Sequence, residues 1–150
     1  MRFKFEGIEK AENDFNIYIE KLSDLSDFYK EKVRPIIIAE AKRAFNTKGY
    51  GSWAPRRDTL PHPLLKKTRK LYNSWTKPNA PGNISIYGKK RMTWGSNVFY
   101  GKFHEYGTLS IIHLRSMPAR PIAKKIIEVK GARLASRISI SLRRYMGLQE

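Results

Sequence analysis

The 150-residue chain contains no cysteine. Disulfides and thiolate metal sites are therefore excluded, and nothing in the composition requires an oxidising compartment. Long apolar runs are also missing: the longest, Ile36-Ile37-Ile38-Ala39, falls far short of the ~20 residues that span a bilayer. The opening MRFKFEGIEKAEND has no apolar signal-peptide core, so the chain is expected in a cytoplasm, soluble or held by other proteins, with no membrane partner. Carboxylates are scarce beyond the first third. Only Asp58, Glu105, Glu128 and Glu150 follow Gly51, which leaves little for paired-carboxylate acid–base work. The histidines, His62, His104 and His113, stand apart, and His104-Glu105 lacks the second histidine of the zinc-protease helix pattern. GYGSW has two glycines but neither the lysine nor the strand-to-helix setting of a phosphate-cradling loop. No catalytic residue, metal or cofactor is expected, and the chain is not expected to be an enzyme.

Positive charge is what the chain has in excess. The net charge is +17, yet residues 1–50 hold ten Lys/Arg against nine Asp/Glu, whereas residues 51–150 hold twenty against four. The last two-thirds therefore carry almost the whole surplus. Such a field attracts polyanions and acidic protein surfaces, and it weakens with salt because the Debye length is only about 8 Å at physiological ionic strength. Any single lysine is equally well read as part of a solvated face, since exposed charges are worth little individually. At this length one core suffices, burying roughly two-thirds of the unfolded surface.

Arg2-Phe3-Lys4-Phe5-Glu6 alternates at period two and predicts a short strand ending at Gly7. Ile8, Ala11, Phe15, Ile19 and Leu22 then recur at helical spacing and predict a first helix. A second helix is expected over residues 26–45, with serine caps at Ser23 and Ser26 and an apolar face of Phe28 or Tyr29, Val33, Ile36 or Ile37, Ala41 and Phe45. Pro35 interrupts it, so a kink near residues 31–34 or a restart at Pro35 is expected. Residues 49–63, GYGSWAPRRDTLPHP, read as irregular chain, with Trp53 expected to plug that loop onto the core rather than serve as a ligand platform. Residues 64–75 predict a short basic amphipathic helix. Ile84-Ser85-Ile86-Tyr87 and Met92-Thr93-Trp94-Gly95 predict a hairpin with the basic tip Gly88-Lys89-Lys90-Arg91. Residues 122–127 read as extended or a single turn, and a final helix as residues 129–145, striped by Leu134, Ile138, Leu142 and Tyr145. No repeat or low-complexity segment occurs.

Residues 98–121, VFYGKFHEYGTLSIIHLRSMPARP, bracket a flexible middle between apolar anchors. Gly101 and Gly107 allow positive φ or close backbone approach. Pro118 and Pro121 stiffen the strip around Arg120, which is expected to present its guanidinium for recognition. Between the anchors, residues 108–117 place Ile111, Ile112, Leu114 and Met117 among few charges. This loop is expected to be mobile in the free subunit and to order against a neighbour, with Arg115 and Arg120 pairing carboxylates across the joint. The competing reading is a hairpin whose apolar residues pack on their own sheet.

Several motifs fall in a definite order: Gly51-Ser52-Trp53-Ala54-Pro55; Thr68, Leu71 and Ser74; Tyr100, His104 and Gly107; and Pro118-Ala119-Arg120-Pro121. This order resembles the tailed-phage virion morphogenesis or tail-completion family, with its GxWxP loop, TGxLxxS segment, YxxxHxxG segment and ARP segment, over roughly residues 39–127. Two positions depart from the pattern. Thr68-Arg69 stands where the family has Thr-Gly, which favours a continuing helix over a turn, and Ile122 replaces the phenylalanine after Ala-Arg-Pro.

The resemblance implies one α+β domain over residues 1–150, a small antiparallel sheet packed by N-terminal and C-terminal helices with a long mobile loop. It further implies a structural protein at the phage neck or tail end, assembled in the host cytoplasm and incorporated in the virion. Its implied partners are copies of itself in a ring and adjoining neck or tail proteins, with DNA contact open to the basic residues. Trp53, Tyr100, His104, Gly107, Pro118 and Pro121 would then be structural motif residues. The alternative is a basic nucleic-acid-binding protein, including a small ribonuclease using His104 with Arg and Tyr neighbours.

Overall fold

The computed structural model describes residues 8–55, 64–108 and 116–148. Its elements are α1 (Ile8–Ser23), α2 (Ser26–Phe28) running through a π-helical turn (Tyr29–Val33) into α3 (Arg34–Asn46), then α4 (Lys70–Thr76), β1 (Asn83–Tyr87), β2 (Met92–Ser96), α5 (Gly101–Tyr106) and α6 (Ala123–Met146). This is a small α+β fold, as expected. The strand anticipated at residues 2–6 lies outside the described residues, as do His62 and His113.

Pro35 shapes the second helical segment. Its ring would strike the carbonyl of residue 31 in a continuous α-helix. The chain widens by one residue instead: Arg34 N–H donates to Tyr29 O across the π turn, and Pro35 then sits in the first turn of α3, where a missing N–H costs nothing. The expected alternatives on the apolar face resolve to Phe28, Val33, Ile36, Ala41 and Phe45, all buried. The expected serine caps are not used; Asp24 Oδ1 accepts the Ser26 N–H at 3.0 Å, and hydrogen bonding from Ser26, its side chain first and then its N–H, holds the carboxyl below its ordinary range.

The core joins Ala41, Ala44 and Phe45 of α3 to Trp53, Leu71 of α4, Val98, and Ile122 and Ile126 at the start of α6. Phe45 is its hinge, meeting the Trp53 ring edge-on at 5.8 Å and the Tyr72 ring at 5.2 Å. Trp53 is the plug anticipated. Gly49, at φ 65°, must be glycine because a Cβ there would run into the indole.

The hairpin pairs Tyr87 with Met92 and Asn83 with Ser96 around the basic tip at residues 88–91. Its principal neighbour is α4: Asn83 Nδ2 donates to Ser74 O at 2.7 Å and Trp94 Nε1 to Trp75 O at 3.1 Å. At the tip, Leu25 N–H donates to Lys89 O at 2.8 Å, tying the end of α1 to the sheet.

Two helices differ from expectation. The segment read as helical from residue 64 becomes helix only at Lys70, because Leu65 and Arg69 take left-handed conformations with φ of 59° and 56°. In the other direction, α6 starts at Ala123 rather than residue 129 and absorbs the stretch expected to be extended or a single turn. Its first turn is held by a carboxylate from far upstream.

Candidate functional site

Three of the four motif-bearing segments, those of Trp53, His104–Gly107 and Pro118–Pro121, meet in one hydrogen-bonded node, while Leu71 of the remaining one lies in the core. Trp53 Nε1 donates to Pro121 O at 2.8 Å. Arg120, only 7% exposed, donates from Nε to Ala54 O and from Nη2 to Pro55 O, both at 3.0 Å, while its backbone N–H donates to His104 O at 2.6 Å. Pro121 has no N–H to satisfy, and its carbonyl receives the indole. Gly107 closes the node from the other side. Its φ is 76°, and a Cβ would come within 2.9 Å of Met117 O and 3.0 Å of Ala119 N, so no other residue lets the 117–119 strip pass.

Arg120 corrects an expectation. The proline-bracketed strip predicts a guanidinium presented to a partner; the side chain is instead an internal clamp on the Trp53 loop. The reason is local supply: residues 54–55 offer carbonyls with no secondary-structure partner of their own, and a planar fork satisfies two at once.

Glu105 has a structural role that its place in the sequence does not announce. Its Oε2 accepts Ile122 N–H at 2.7 Å and its Oε1 accepts Lys124 N–H at 3.0 Å, so one carboxylate satisfies two of the orphan donors that open α6 and lies at the positive end of the helix dipole. The scarcity of carboxylates after Gly51 was the available signal: a lone acid in a basic stretch needs a reason. Glu40 was missed too. It is buried at 4% exposure, accepting from Tyr50 Oη at 3.2 Å with Arg43 and Arg137 guanidinium nitrogens at 3.9 and 3.7 Å, and so links α3 to α6. Burial first, then the Glu40 charge and hydrogen bond, push the Tyr50 phenol up to about 12.

His104 is poorly placed for acid–base work. Its ring meets Tyr100 edge-on at 6.0 Å, and Nδ1 is buried without a hydrogen bond among the described residues. Burial, then the nearby Arg120 charge, hold its pKa below the ordinary histidine value, leaving the ring neutral at pH 7. The adjoining carboxylate of Glu105 is turned to α6 and does not orient the imidazole. Among the described residues no cluster of three His, Cys, Asp or Glu could hold a metal ion, and no helix is long and apolar enough to cross a membrane.

Of the anticipated partner-facing residues, Ile111, Ile112, Leu114 and Arg115 lie outside the described residues. Met117 is half-buried and pairs with Thr108, whose N–H donates to Met117 O and whose Oγ1 accepts Met117 N–H, both at 2.9 Å. The two ends of the anticipated loop are thus tied together. No family model, curated protein or solved structure matches the chain.

Proposed function

We propose that this chain is a structural, non-enzymatic subunit of a tailed-phage virion, acting at the head–tail junction or tail end in tail completion by assembling as a ring against adjoining rings. The observation that carries the reading is the convergence of Trp53, His104, Gly107, Arg120 and Pro121 in a single node. Three of the segments that resemble the family pattern lie up to 68 residues apart in sequence, yet each supplies a distinct part of one part-buried network. Arg69 adds to this. It occupies the place where the family pattern has glycine, and its φ of 56° is the backbone conformation for which glycine is the usual choice. The helix expected to continue through Thr68-Arg69 is thus broken at the position where the family pattern has a glycine, which supports the reading.

The neutral, half-buried His104 offers little to the ribonuclease alternative. Purified chain examined by negative-stain electron microscopy is expected to form rings and to co-sediment with phage particles lacking it. A monomer that retains nucleic acid and cleaves RNA, with cleavage lost in His104→Asn, would overturn the reading. The anticipated contact loop has its own test: Ile111→Ser/Ile112→Ser should leave the folded monomer's melting temperature nearly unchanged and abolish joining to the particle.

A further inference from the structure

Two exposed apolar surfaces of opposite charge lie on different parts of the fold. The first is α1. Phe15, Ile19 and Leu22 recur along one helical face and remain 65%, 51% and 48% exposed, so none of the described residues covers the stripe that makes this helix amphipathic. Around it Glu9, Glu12, Asp14 and Glu20 outnumber Lys10 and Lys21. The second surface is a groove of about 410 Å³ where α5 meets the start of α6, lined by Phe99, Lys102, Tyr106 and Ala123 among others. Phe99 and Tyr106 are 73% and 83% exposed, and Ile127, one helical turn beyond Ala123, is 69% exposed. Its charged rim is cationic. Lys102 lies 4.7 Å over the Phe99 ring, Lys124 is exposed, and α6 as a whole carries seven Lys/Arg against Glu128 alone. Glu105, the carboxylate in the groove lining, is occupied by the two α6 N–H groups.

We propose that α1 of one subunit docks in the α5–α6 groove of the next copy, making a head-to-tail joint. The inference rests on the ring-assembly reading and names the surfaces that would form the ring. Within one chain both surfaces are exposed, so they do not cover each other. A helix with an apolar stripe and an acidic rim matches an apolar groove with a lysine rim, which gives attraction and register together. Because the two patches differ, the contact is heterologous, and repetition generates a ring or a filament rather than a closed dimer.

The test uses two variants of the full chain at exposed positions, Phe15→Ser/Ile19→Ser in α1 and Phe99→Ser/Tyr106→Ser in the groove, with sedimentation velocity as readout and circular dichroism confirming the fold. Wild type should assemble and each variant should be monomeric. An equimolar mixture should give a one-to-one dimer, because one variant keeps the groove and the other keeps α1. A charge pair provides a second route should either serine variant misfold: Glu12→Lys/Asp14→Lys should weaken assembly at least tenfold, and Lys102→Glu/Lys124→Glu should restore it in the mixture. If the α1 variant assembles like wild type, the joint is wrong while the ring reading stands. If only the α1 variant is monomeric and the groove variant assembles, or if the mixture stays monomeric, α1 does not dock in this groove. A wild-type chain that is monomeric at every concentration sinks both.

Discussion

Helices α1 and α3 come from the same nearly neutral third of the chain, and both carry apolar residues at helical spacing, yet they end in opposite circumstances. Helix α3 buries Ile36, Glu40, Ala41, Ala44 and Phe45. Helix α1 buries none of its described side chains. Hydrophobic periodicity therefore states which side of a helix seeks cover, but not whether the cover belongs to the same molecule. For α3 it does, through Trp53, Leu71 and Ile126; for α1 none of the described residues supplies it.

The sharpest way to test this contrast is to truncate one aromatic in each region. Trp53→Ala should cost about 3–5 kcal/mol in denaturant unfolding of the monomer, since it removes a packed indole and its hydrogen bond. Phe15→Ala should cost less than about 0.5 kcal/mol in the same assay, as surface changes usually do. Equal losses at the two sites would mean that α1 is part of the monomer core after all.

Next in size is Glu105→Ala. It leaves two backbone donors at the α6 N-terminus without their acceptor, and a loss of about 2 kcal/mol is expected. Hydrogen exchange should show faster amide exchange in the first turn of α6 while β1 and β2 keep their protection. Uniform loss of protection would instead assign Glu105 a global role.

Much of the fold was legible in the sequence where a local signal decides: the hairpin, the helix interrupted by Pro35, and the buried face of that helix follow from period, proline chemistry and spacing. What was not legible depends on a distant partner. The early start of α6 needs Glu105, and the burial of Arg120 needs the carbonyls of Ala54 and Pro55, 65–66 residues away. The short α4 fails for another reason. Leu65 and Arg69 adopt left-handed backbone that their types disfavour, and no propensity argument points to an arginine there.

That strain gives a smaller prediction of opposite sign. Arg69→Gly should stabilise the monomer by up to about 1 kcal/mol, because glycine enters the left-handed region without the Cβ penalty. A loss of stability would show that the Arg69 side chain contributes more than its backbone costs.

The smallest effect is a slope rather than a loss. Burial holds His104 below its ordinary value of 6.5, so as pH falls through 6.5 the unfolded chain takes up a proton before the folded one. Stability should therefore decrease from pH 6.5 downward, until the folded-state value is passed, and be regained as pH rises. His104→Gln should flatten that part of the profile, with denaturation midpoints compared between pH 7 and 5. An unchanged slope would place the titration on another histidine.

The node that gathers Trp53, Arg120 and Pro121 joins chain positions 65–68 residues apart. Links of that span give nothing until most of the loop entropy has been spent, so they are expected to close late in folding, after α3 and the hairpin have formed from near neighbours. A nascent chain would thus carry its helices and sheet before the Trp53 loop is locked down. Time, more than energy, would then separate an immature subunit from one ready to meet its neighbour.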